Sequence, residues 1–171
     1  MEILIPADKI QARIDELAAE VSRVYAHQPV TIVGVLTGCL IFLADLIRRL
    51  EMPVRIALVQ ASSYRGHSTT PGQLRIQTDL LPDLTGRHIL LVDDILDTGK
   101  TLIHLVEHLQ SLGTASVRTA VLLRKRDRQQ VALEPDFCGF EIPDRFVVGY
   151  GLDYNDEYRH LPFLAVLPRE S

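Results

Sequence analysis

The stretch richest in reactive groups is 89–101, Ile-Leu-Leu-Val-Asp-Asp-Ile-Leu-Asp-Thr-Gly-Lys-Thr. An apolar run ends in two adjacent carboxylates, Asp93 and Asp94. Asp97 stands four residues after the first, and the turn Thr98-Gly99-Lys100-Thr101 then opens a helical pattern. The amides of such a turn, with its two threonine hydroxyls, form a socket for a phosphate dianion at the positive end of a helix dipole. Asp93 and Asp94 can grip the hydroxyls of a ribose, or a magnesium ion bound to them. Asp97, between sugar and phosphate, is placed to exchange a proton. The chemistry indicated is that of a sugar phosphate.

Other readings compete for the same residues. Gly99-Lys100-Thr101 looks like the tail of a nucleotide-binding P-loop, but that motif requires glycine at position 94, where Asp94 stands. An aspartate pair at a strand end also marks phosphoacceptor pockets, in which the Thr-Gly-Lys-Thr that follows is unexpected. Asp97 can simply cap a helix beginning at Thr98. Capping does not weigh against proton transfer.

The elements that must position these groups are legible from periodicity. Ile10, Ile14, Leu17, Ala18, Val21 and Val24 recur at helical spacing, predicting a helix from Asp8, its cap, to Tyr25. Apolar runs at Thr31–Leu36, Val54–Ala61, His88–Val92 and Ser116–Leu123 read as strands, with shorter ones at Gln73–Thr78, Phe137–Phe140 and Phe146–Val148. Helices are expected over Ile41–Leu50 and Thr98–Leu112, the latter burying Leu102, Leu105, Val106, Leu109 and Leu112. Strands apolar throughout and alternating with helices predict an α/β fold, a parallel sheet flanked by helices on both faces. Ligands of such sheets bind beyond the carboxyl ends of the strands. Residues 62–72, rich in Gly, Pro and hydroxyl side chains, read as a lid-like loop.

Composition narrows the class. The chain has 171 residues, 47% hydrophobic and 23% charged, with a net charge of −4. One domain without repeats or linkers is expected. An acidic balance argues against a nucleic-acid partner. No uncharged apolar run reaches the roughly 18 residues of a membrane span, and the amino terminus lacks a signal-peptide pattern. Cys39 and Cys138, far apart in apolar surroundings, read as buried reduced thiols of a cytoplasmic protein.

The 89–101 segment resembles the phosphoribosyl-pyrophosphate signature of type I phosphoribosyltransferases. A second segment, Lys125 with Pro135–Tyr154 (Pro-Asp-Phe-Cys-Gly-Phe-Glu-Ile-Pro-Asp-Arg-Phe-Val-Val-Gly-Tyr-Gly-Leu-Asp-Tyr), resembles the hypoxanthine-guanine phosphoribosyltransferase family. The likeness runs from about Val30 to Leu167. It implies a single domain over 1–171, with a flexible loop over 62–73 and a small hood from residues near 1–10 and 135–171. The implied activity is purine salvage, with the 5-phosphoribosyl group of 5-phosphoribosyl-1-pyrophosphate passing to hypoxanthine or guanine. Mg²⁺ is the implied cofactor and a homodimer or homotetramer the implied assembly.

By the same resemblance, Asp97 is the general base, and Asp93 and Asp94 take the donor ribose and its metal. Asp97, Thr98, Gly99, Lys100 and Thr101 hold the 5′-phosphate. Lys125 meets the 6-oxo group, which a donor-only ammonium prefers over an amino group. Phe146 stacks on the purine, and the Val147 backbone reads its edge. Asp153 lies by the purine and ligates a second metal ion, Arg159 binds pyrophosphate, and Ser63 and Tyr64 belong to the closing loop. Taken alone, Lys125 reads as part of a solvated basic run, Phe146 equally well as core, and Asp153 and Arg159 as surface charges. Thr37-Gly38 stands in the pyrophosphate loop where the family usually has Lys-Gly, so one cation is missing there. A pyrimidine-operon RNA-binding regulator on the same fold would be expected to be basic, and a silent donor-sensing module is the other alternative.

Overall fold

A computed structural model describes residues 1–63 and 74–168. Its main sheet has six strands: β2 (Val30–Leu36), β3 (Val54–Ser63), β4 (Leu74–Gln77), β5 (His88–Leu96), β6 (Ser116–Arg124) and β7 (Phe137–Glu141). They lie in the order β4-β3-β2-β5-β6-β7, and only β3 and β4 pair antiparallel. The continuous apolar runs divide by parity onto two cores, because successive side chains of a strand face opposite ways. Ile32, Leu90, Val92 and Leu122 face helices α1 (Ala7–Tyr25) and α2 (Leu40–Ile47), whereas Val33, Ile89, Leu91 and Val121 face helix α3 (Lys100–Ser111).

This topology fixes where a ligand can enter. From β2 the chain passes through α2 to β3 on one side of the sheet. From β5 it passes through α3 to β6 on the other. Neighbouring strands whose connections leave in opposite directions open a crevice at their carboxyl ends. β2 and β5 pair only as far as Gly34 and Val92, after which β5 continues alongside β6 alone.

Several expected boundaries are corrected. Pro6 stands at the N-cap of α1 with no side-chain cap, so Asp8 lies inside the first turn, where it still complements the helix dipole. Tyr25 takes the last buried position of that helix and Val24 is exposed. α2 stops at Ile47, and the chain tightens into three-residue turns through Arg49 and Leu50. α3 begins at Lys100 behind Gly99, whose φ of 87° ends the preceding turn, and Leu112 is a partly exposed cap. Asp97 therefore caps no helix. β5 runs four residues past the expected Val92, so Asp93 and Asp94 are strand residues. β3 runs through Ser62 and Ser63, where the loop was expected to start. The rest of that loop, Tyr64 included, lies outside the described residues.

A second sheet of three antiparallel strands is not announced by periodicity. β1 (Glu2–Ile5), β8 (Val147–Val148) and β9 (Leu164–Val166) join the two ends of the chain in the order β1-β9-β8. Ile5, Val147 and Leu164 pack into the core beneath α1 and α2. Among the described residues no helix is long and apolar enough to cross a membrane. Both cysteines are free. Cys39 is buried as expected, while Cys138 is only half-buried.

Candidate active site

The crevice between β2 and β5 holds a cleft of about 350 Å³ lined chiefly by residues from three segments. Thr37 and Gly38 come from the turn after β2. Asp93, Asp94, Asp97, Thr98, Gly99 and Thr101 come from β5 and the turn into α3. Asp153 and Arg159 come from the loop between β8 and β9. Lys100 points outward and is exposed.

Asp93 is buried and Asp94 half-buried, each bonding the next backbone amide: Asp93 Oδ1 accepts from Asp94 N–H, and Asp94 Oδ1 from Ile95 N–H, both at 2.8 Å. The Asp94 carboxylate lies against the turn after β2. A Cβ at Gly38 would fall 2.0 Å from its Oδ2, so no larger residue fits there without displacing it. The peptide between Leu36 and Thr37 is cis. Arg159 faces the pair from across the cleft, fixed by its Nη1 to the Gly151 carbonyl at 2.7 Å and its Nη2 to Asp153 Oδ1 at 3.1 Å. Two residues that read as surface charges in isolation thus form a half-buried pair lining the cleft.

Burial pushes the Asp93 carboxyl well above the usual carboxylate range, and the neighbouring charge of Asp94 adds to this. Asp94 is raised by burial too, against opposing hydrogen bonds and the Arg159 guanidinium. Beneath them, burial and then the two aspartates push the Cys39 thiol up to about 12, which keeps it protonated and unreactive. A carboxyl whose folded pKa is raised stabilises the fold below its unfolded value, and that stability is lost as pH rises through the raised value. The ligand-free protein should therefore melt at falling temperatures as pH climbs above the carboxylate range. Asp93→Asn should flatten that decline and melt higher than wild type at the alkaline end. Parallel melting curves from about pH 5 to about pH 9 would show that Asp93 carries no such penalty.

The remaining predicted residues lie outside the lining of the cleft. Lys125 follows β6 and is buried, with Nζ 3.7 Å from Asp144 Oδ1. Arg124 beside it is buried as well, its guanidinium donating to Glu134 and Gln129, so of the basic run only Arg126 is solvated. Phe146 is not core. It is 47% exposed and meets the Tyr154 ring edge-on at 5.6 Å. Val147 is buried in β8. None of Lys125, Phe146 and Val147 lines the cleft itself.

Two further charged residues were not singled out from the sequence. Arg128 lies on the 3₁₀ turn Arg126–Arg128 and donates through Nε to Asp97 Oδ1 at 3.0 Å, and Asp144 lies between Lys125 and Arg128. The one available signal was the position of Arg128 three residues after Lys125, a spacing that shares a face on a tight helical turn.

Comparison with known proteins places this geometry in a family. Residues 5–155 match the phosphoribosyl transferase domain model. Over 169 residues the chain is 38% identical to the hypoxanthine-guanine phosphoribosyltransferase of Streptococcus pneumoniae, covering 99% of this chain and 94% of that protein. It is 40% identical over 163 residues to the enzyme of the same description from Aquifex aeolicus, covering 95% and 92%. The crystal structure of a hypoxanthine-guanine phosphoribosyltransferase from Bacillus anthracis superposes with a TM-score of 0.92 at 35% identity, covering 98% of this chain and 99% of that one.

Proposed function

The chain belongs to the phosphoribosyltransferase domain family, among the hypoxanthine-guanine enzymes, and from that premise we propose how its own residues carry out the transfer. The activity is purine salvage: 5-phosphoribosyl-1-pyrophosphate and hypoxanthine or guanine give the nucleoside monophosphate and pyrophosphate. The observation that carries this reading is the single cleft that joins three strand-end carboxylates, a phosphate-sized turn and the Asp153–Arg159 pair.

The amides and hydroxyls of Thr98, Gly99 and Thr101, at the head of α3, take the 5′-phosphate, with Lys100 adding charge from outside. Asp93 and Asp94 take the ribose diol. The turn at Thr37 and Gly38, with Arg159, takes the pyrophosphate, whose negative charge grows as its bond to the anomeric carbon breaks. The purine sits between Phe146 and the sugar, with Lys125 at its 6-oxo group and Val147 at its edge. Its imidazole nitrogen attacks the anomeric carbon, and the nitrogen-bound proton passes to Asp97. The β1-β9-β8 sheet serves as the hood of a single domain; the closing role expected of Tyr64 and its neighbours falls outside the described residues.

The acidic groups fit magnesium delivered with the donor. Among the described residues no three His, Cys, Asp or Glu side chains converge as a ready-made cage. Mg²⁺ usually keeps several waters and binds through one or two carboxylates together with substrate phosphates, as the Asp93–Asp94 pair and Asp153 allow. Bound there, the ion neutralises charge on the leaving pyrophosphate. The two free thiols suit a cytoplasmic location, and the family resemblance supports a homodimer or homotetramer.

Incubating the protein with donor, Mg²⁺ and a panel of bases tests the reading. IMP or GMP should form and UMP should not; absence of any nucleotide removes it in favour of a silent donor sensor. Thr37 is exposed, so a lysine fits there without repacking. A charged hydrogen bond contributes about 1.5 kcal/mol or more, so Thr37→Lys should lower the donor KM about tenfold. An unchanged KM in initial-rate measurements would mean that the amides of the turn suffice without a cation.

A further inference from the structure

Asp97, the proposed base, is already engaged by Arg128 at 3.0 Å. Backbone bonds clamp the segment carrying Arg128 onto the phosphate turn from both sides: Lys125 N–H to the Leu96 carbonyl at 3.0 Å, and Gln130 N–H to the Thr98 carbonyl at 2.8 Å. The Arg128 guanidinium also lies 3.9 Å from Asp144 Oδ1, the atom that Lys125 Nζ approaches at 3.7 Å. Both distances are those of ion pairs too long for hydrogen bonds. Asp144 therefore stands between two cations and is committed to neither. A ladder of alternating charge, Asp97–Arg128–Asp144–Lys125, runs from the proposed base to the residue proposed to read the purine.

We infer that Arg128 and Asp144 form a partner-exchange relay that frees Asp97 only when the base pocket is filled. The inference rests on the proposed function, since it takes Asp97 as proton acceptor and Lys125 as the contact to an exocyclic oxygen. When that oxygen accepts from Lys125, Asp144 loses a competing cation and closes on Arg128, which then lets go of Asp97. Only ion pairs and hydrogen bonds change hands, so total charge is conserved. The relay has a chemical purpose. With donor bound and no purine present, an unpaired carboxylate beside the anomeric carbon would direct water at it, releasing pyrophosphate and taking up the water proton. Arg128 holds that carboxylate idle until the proper nucleophile arrives. The side chains of Asp97, Arg128 and Asp144 are 39%, 46% and 44% exposed, so substitutions there should leave the fold intact.

The test compares wild type with Arg128→Gln, Arg128→Lys, Asp144→Asn and the double variant Arg128→Gln/Asp144→Asn. It follows kcat and KM for hypoxanthine, and pyrophosphate release from donor and Mg²⁺ without purine. Asp144→Asn should lower kcat about tenfold without raising KM, because Arg128 then has nowhere to go while Lys125 loses its competitor. Arg128→Gln should raise purine-independent pyrophosphate release several-fold, and Arg128→Lys should bring it back toward wild type. In the double variant kcat should return to that of Arg128→Gln alone. A purely structural role predicts losses that multiply, with no change in pyrophosphate release; that result in an active enzyme removes the relay alone. A wild-type protein that forms no nucleotide removes the enzyme reading and the relay with it.

Discussion

Asp97→Asn should cut the turnover of hypoxanthine by about 10²–10⁴-fold, the usual worth of a positioned general base. The amide is close to isosteric and keeps a carbonyl oxygen that can accept from Arg128, so the 3.0 Å contact and the local backbone have no reason to move. What is lost is the capacity to accept a proton. Donor binding should be nearly unchanged, because the contacts proposed for it are the carboxylates of Asp93 and Asp94 and the amides and hydroxyls of Thr98, Gly99 and Thr101, none of which the substitution removes. The two quantities separate cleanly: IMP formation under saturating substrates reports kcat, and titration calorimetry with donor and Mg²⁺ reports binding. Equal losses in both would mean that Asp97 acts by holding the donor. A variant at full rate would place the base elsewhere.

Asp97 could be singled out from sequence as the proposed base because its neighbours on one side are contiguous: a strand, a turn and a helix within thirteen positions. The interiors of strands and helices were legible for a related reason. Burial on both faces leaves long apolar runs such as 30–36 and 88–92, and α1 repeats its buried residues every three or four positions. Periodicity failed where a strand carries charge. Aspartate is a poor strand residue, so β5 was expected to end at Val92, yet pairing with β6 carries it to Leu96. It failed again for β1 and β9, whose register joins Glu2 to Val166. Strands of four and three residues, with partners at opposite ends of the chain, carry no local signature.

The far half of the site was legible only through family resemblance. Asp153 and Arg159 reach the cleft because the loop after β8 folds back over the Thr37 turn, so closely that a Cβ at Gly151 would fall 2.4 Å from the Gly38 carbonyl oxygen. No spacing rule anticipates that approach. Arg124 shows the opposite failure. A basic triplet normally means a solvated face, but Glu134 meets Arg124 with both carboxylate oxygens, and this pairing lets the guanidinium be buried. The Arg128–Asp97 contact was hidden because it depends on a 3₁₀ turn too short to leave a pattern.

Lys125→Ala should raise the KM for hypoxanthine about 10- to 100-fold, the range expected for losing a charged hydrogen bond to a neutral partner. The Lys125 side chain is 9% exposed, so water does not readily replace it at a 6-oxo group. Discrimination against adenine should shrink as well, because the donor that favoured an oxygen over an amino group is gone. Lys125→Met, which keeps most of the buried stem, should behave like the alanine variant if charge rather than packing is responsible. The relay adds a second signature that simple loss of a contact does not. Without Lys125, Asp144 has a single cation left to engage, Arg128, and Asp97 is released whether or not a purine is present. Purine-independent release of pyrophosphate should therefore rise in Lys125→Ala, and Asp144→Asn on that background should suppress the rise by returning Arg128 to Asp97. A variant with weakened hypoxanthine binding and unchanged pyrophosphate release would keep Lys125 as the base-reading residue and disconnect it from Asp97.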